Sequence, residues 1–82
     1  MDKTKFLKMC QKVSVLPDGV MYIKTSVPDE LKVIYKGSLY YPIERVAGFD
    51  RNGMPVLKAR LHSISDNSVT ECLLKNVEEF VK

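Results

Sequence analysis

The 82-residue chain predicts an α+β fold, mostly β. One N-terminal helix packs on a bent antiparallel sheet of about five strands. Three observations predict this. Phe6, Met9, Cys10 and Val13 form an apolar stripe at helical spacing near the start. From Leu31 onward, short apolar runs alternate with turn chemistry: Lys36-Gly37-Ser38, Asp50-Arg51-Asn52-Gly53 and Ser65-Asp66-Asn67-Ser68. The length allows a single thin-cored domain over residues 1–82, because a chain this short buries only about 60–65% of its unfolded surface.

The helix is predicted over about residues 4–13, with Lys5, Lys8 and Lys12 off the apolar stripe and Asp2 or Thr4 as the cap. At about three turns it is marginal alone and must dock on the sheet. Pro17-Asp18-Gly19 is a turn, since proline presets φ and glycine supplies positive φ. It fits either a hairpin beginning where the helix ends, or a helix, a turn and one strand. A strand over Val20–Thr25 is common to both and opens a β-ladder of about residues 20–80. Ser26–Glu30 reads as a tight turn or one turn of 3₁₀ helix, with Pro28 suited to a first helical position.

Leu31, Val33 and Tyr35 alternate with Lys32, Ile34 and Lys36, so that strand has one apolar face. Leu39–Phe49 follows as a long strand. Pro42 removes a ladder donor and marks an edge or bulge, and Gly48 marks a second bulge. Asp50-Arg51-Asn52-Gly53 is the strongest hairpin signal, with Met54–His62 as the return strand. Ser63–Ser68 is a loop, Val69–Leu74 a strand, and Val77–Phe80 a short closing helix or strand after a break at Lys75-Asn76. The expected core comprises Phe6, Met9 and Val13 from the helix with Leu31, Val33, Leu57, Ala59, Leu61, Cys72 and Leu74.

Composition is ordinary globular, at 45% apolar and 28% charged residues. No apolar run approaches the ~20 residues that span a bilayer. The first residues are too charged for a signal-peptide core, so a cytoplasmic location and no membrane partner are expected. The net charge of +3 lies in residues 1–36, where seven lysines face four acids. Residues 37–82 balance at six bases and six acids. Cys10 and Cys72 make no disulfide framework and are expected as buried thiols.

Strand geometry places Leu57, Ala59 and Leu61 on one face, and Lys58, Arg60 and His62 on the other. The second set is a basic stripe suited to phosphate or an acidic partner. Cross-strand pairing of Arg60 with Glu71 or Glu44 is the structural alternative. Tyr40 and Tyr41 are consecutive, so they face opposite sides, and an exposed one beside Pro42 is a platform for a proline-rich peptide or a base. His62 is the only histidine. With Cys72 and Asp66 it shows no spacing that points to convergence, so no catalytic residue, metal site or cofactor is predicted.

The strand order and turn lengths resemble an SH3-like small barrel, with a one-turn helix before the last strand. A narrower resemblance rests on Tyr35-Lys36-Gly37, Tyr41-Pro42, Gly48-Phe49-Asp50-Arg51-Asn52-Gly53, Ala59-Arg60-Leu61-His62, Asn67-Ser68-Val69 and Leu74 with Val77-Glu78. These segments, over roughly residues 30–80, are similar to small proteins of Gram-positive phages and prophages. The resemblance implies an accessory protein that modulates a host protein. The expected function is therefore a non-catalytic protein-interaction module. Its binding residues are drawn from Lys58, Arg60, His62, Tyr40 and Tyr41. The alternative is a nucleic-acid-binding barrel using the same basic strand face and the N-terminal lysines.

Overall fold

The computed structural model describes residues 1–14, 29–66 and 68–81. Helix α1 spans Lys3–Ser14. Asp2 is its cap: one carboxylate oxygen accepts from the Lys5 N–H at 3.0 Å, and its carbonyl accepts from the Phe6 N–H at 3.0 Å. The stripe of Phe6, Met9, Cys10 and Val13 is the buried face. The turn at Pro17-Asp18-Gly19 and the strand over Val20–Thr25 lie outside the described residues. The chain is next seen in a 3₁₀ turn at Asp29–Leu31, which buries Leu31.

Five antiparallel strands follow: β1 (Val33–Tyr35), β2 (Ser38–Phe49), β3 (Pro55–Ser63), β4 (Val69–Leu73) and β5 (Glu78–Glu79). A second 3₁₀ turn, Leu74–Asn76, separates β4 from β5. The closing segment is thus a short strand, flanked by the break predicted at Lys75-Asn76. Register confirms the bulge at Pro42: Pro42 pairs with Leu61 and Glu44 with Arg60, so Ile43 is the extra residue. No bulge forms at Gly48, because pairing runs unbroken from Glu44 to Phe49. Gly48 makes room instead. A Cβ there would stand 3.1 Å from Cε of Lys58, whose aliphatic stem crosses above it.

The strand order is β4-β3-β2-β1-β5. The sheet edges are therefore β4 and β5, which are neighbours in sequence. In a flat sheet, four spacings would separate them by about 19 Å. Only Leu74–Val77 joins them, and three of those residues form a 3₁₀ turn. With ~2 Å of rise per 3₁₀ residue, that link reaches about 13 Å. The sheet must curl to bring its edges together. It remains open, since β4 and β5 share no ladder.

The core fills the inside of this curl. Phe6, Val33, Ala59, Leu61 and Val77 are each at most 1% exposed, and Met9, Cys10, Cys72 and Leu74 complete the cluster. A satellite of Val13, Leu31 and Tyr41 lies beside it. Leu57, expected in the core, is only half-buried at its margin.

Candidate interaction surface

The β2–β3 hairpin is longer than the elements flanking it. β1 pairs with β2 only at Ser38–Tyr40, and β4 pairs with β3 only at Lys58–His62. Beyond those points, Val46–Phe49 and Pro55–Leu57 form a two-stranded ribbon with, among the described residues, no strand on either outer side. Its tip is firmly built. One carboxylate oxygen of Asp50 accepts from the N–H groups of Asn52 and Met54, each at 2.9 Å. The Gly53 N–H donates to the Asp50 carbonyl at 3.0 Å, with Gly53 at φ 79°. This is a three-residue loop whose left-handed position requires glycine.

Directly paired residues share a face, as do alternate residues along a strand. The face that carries Leu61 and Ala59 into the core therefore continues outward as Leu57 and Pro55 on β3, with Ala47 and Phe49 opposite them on β2. Near α1 this face is sealed. Past it the cover stops: Leu57 is half-buried, Ala47 and Pro55 are exposed, and Phe49 is 69% exposed. Met54, at the tip, is 61% exposed. Burying an aromatic or a methionine is worth roughly 1.5–3 kcal/mol, so this strip is the strongest unsatisfied apolar feature of the ribbon.

Cations border the strip. Arg45 shares its face beside the helix, Arg51 sits in the loop, Lys75 lines a groove with Leu57, and Lys58 stands on the opposite face of the ribbon. Among the described residues none of these four forms an ion pair. Asp50, the one acid between Arg45 and Ala59, is committed to the loop. A shallow groove of about 270 Å³ lies between Val56, Leu57, Leu73, Lys75 and Asp50.

The residues singled out by sequence are placed differently from one another. Lys58 and Arg60 are half-buried on the predicted face. Arg60 is matched by acids on both sides, pairing with Glu44 and lying 3.6 Å from Glu71. His62 does not complete a solvent-facing stripe: it is 7% exposed, and among the described residues its Nδ1 has no hydrogen-bond partner. Tyr41 is 2% exposed, and burial pushes its hydroxyl pKa up. Tyr40 is half-buried and packs edge-on against Tyr35 at 6.1 Å. Neither tyrosine is an open platform.

Phe49 stands among the strand aromatics but, like Met54, is not among the binding residues drawn from the sequence. The available signal was length: α1 measures about 18 Å by helical rise, whereas a 12-residue strand runs about 40 Å, so one short helix cannot cover it.

The thiols are structural in character. Cys10 and Cys72 are free and buried. Burial, with the nearby Glu44 charge, pushes the Cys10 thiol up to about 11, and burial raises Cys72 as well. Both are held protonated at neutral pH, the opposite of an activated nucleophile. Hydrogen bonds from Ser68 hold the Asp66 carboxyl below its ordinary range in the β3–β4 loop. No group of three metal-ligating side chains gathers among the described residues. No described helix is long and apolar enough to cross a membrane. No family model, no curated protein and no solved structure matches the chain.

Proposed function

We propose that the chain is a small non-catalytic protein-interaction module. In this reading it is an accessory protein of the phage type its sequence resembles, acting on a host protein in the cytoplasm. The observation that carries it is the uncovered apolar strip of Ala47, Phe49, Pro55 and Leu57 on the β2–β3 ribbon. A fold this thin in core gains nothing from exposing Phe49 unless something covers it. An SH3-like framework is part of this reading, supported by the β1–β4 meander, the one-turn 3₁₀ helix and the last strand returning to β1, in a sheet that stays open. The nucleic-acid alternative has less behind it. Its central cation, Arg60, is neutralised by two carboxylates, and Tyr41 is buried.

The test is capture from a Gram-positive bacterial lysate on the immobilised protein, with and without nuclease, read by mass spectrometry. One protein retained near stoichiometry after nuclease supports the module. Loss of all bound material on nuclease treatment assigns the basic strand face to nucleic acid and overturns it.

A further inference from the structure

We infer that the β2–β3 ribbon is the docking site for an acidic segment of another protein that carries an apolar anchor. This deepens the interaction-module reading and rests on it. Two independent properties of the ribbon select the partner. The first is shape and polarity. Ala47, Phe49, Pro55 and Leu57 form two directly opposed apolar pairs on one face, Ala47 with Leu57 and Phe49 with Pro55. With Met54 at the tip, they offer a patch of the kind that accepts an aromatic or long aliphatic side chain.

The second is charge. Residues 45–59 carry Arg45, Arg51 and Lys58 against Asp50 alone, and those three cations are unpaired among the described residues. At the base of the strip stands α1, with four lysines and no acid over Lys3–Ser14. Among the described residues only Lys5 of these lysines forms an ion pair, with Glu79 at 2.8 Å. Elsewhere Lys32 pairs with Asp29, and Arg60 with Glu44 and Glu71. Of the ribbon cations Arg45 stands on the face of the apolar strip and Arg51 at its tip, while Lys58 lies on the opposite face of the ribbon. A complementary surface is negative around an apolar centre.

Nucleic acid matches the charge but not the strip. Bases stack on aromatic faces, and Phe49 is the only aromatic on the ribbon, whereas Ala47, Pro55, Leu57 and Met54 are aliphatic. A second copy of the chain matches the strip but not the charge, since it would bring cations against cations.

The experiment pans a random-peptide display library against the immobilised full chain and measures selected peptides in solution. Three proteins are compared: wild type, F49S/M54S and R45E/R51E. These positions are exposed, so both variants should unfold at close to the wild-type midpoint, which circular dichroism checks. The expected result is peptides rich in Asp and Glu with one aromatic or aliphatic anchor. Their binding falls by more than ~10-fold in F49S/M54S and at least as much in R45E/R51E. Raising salt from ~50 to ~200 mM should weaken them measurably, but less than the steep loss that many phosphate contacts give.

Peptides without acidic enrichment, or peptides that bind F49S/M54S as tightly as wild type, overturn the ribbon site while leaving an interaction module elsewhere intact. Failure to select any peptide overturns it too. Tighter binding of oligothymidylate, with the steep salt dependence of phosphate contacts, overturns both the site and the module. Concentration-dependent sedimentation abolished by F49S/M54S assigns the strip to self-association and overturns the acidic partner.

Discussion

Leu61 has no exposed surface and lies where α1, β3 and the second 3₁₀ turn meet. Leu61→Ala should lower stability by about 2–5 kcal/mol, seen as a lower urea midpoint with an unchanged slope. Cys10 gives a pH-dependent expectation. Its folded-state pKa of about 11 lies above the ordinary thiol value of 9.0, so the native state holds the proton more tightly. That contribution is fully present below pH 9 and is lost as pH rises toward 11, with Cys72 acting in the same direction. Urea midpoints measured from neutral to alkaline pH should fall across that window, and Cys10→Ala should flatten the decline. His62 shows the limit of reading residues from sequence. Strand alternation gave its face correctly, together with Lys58 and Arg60. Alternation says which way a side chain points and nothing about what packs over it, so burial of His62 was not legible.

The hairpins were the most legible elements, because their turns are chemically specified. The β1–β2 connection is a two-residue loop, Lys36-Gly37, with φ values of 50° and 77°. Both positions are left-handed, as a type I′ turn requires, and lysine is poorly suited to the first. Its ammonium rests 5.4 Å from the Tyr35 ring, which offsets part of that strain. Lys36→Asn should relieve the strain at the loss of an exposed cation–π contact. The net gain should be about 0.5 kcal/mol, visible as a thermal midpoint raised by a few degrees. Gly48 misled for the opposite reason. Glycine in a strand signals either a bulge or a close approach, and only the position of the Lys58 stem decides between them. The uncovered ribbon was legible in principle from the mismatch between helix and strand lengths, but the one-face alternation of β2 is blurred by Pro42 and Ile43.

At the scale of the whole molecule, the helix on a bent sheet was expected from the sequence, while the pairing that joins the last segment to β1 was not. Glu78-Glu79 carries no strand pattern, so nothing local announces that it pairs with β1. The pairing is imposed from elsewhere: Val77, 1% exposed, anchors the segment in the core. Met1 adds to the same anchor, its amine donating to the carbonyls of Leu74 and Val77 at 3.3 and 2.9 Å.

The joining of opposite sheet edges also orders the events of folding. The β1–β2, β2–β3 and β3–β4 pairings close over short loops, and each can form early at small entropic cost. The β1–β5 pairing must wait, since Ile34 meets Glu78 across 44 positions of chain. Contacts made only after the rate-limiting barrier govern how fast a protein comes apart rather than how fast it assembles. Val77→Ala should therefore leave the refolding arm of a chevron plot nearly unmoved. It should speed unfolding by about tenfold or more, the full effect of losing roughly 1.5 kcal/mol. The two residues of β5 then act as a latch on the native state, setting how long the exposed ribbon is held in a form its partner can meet.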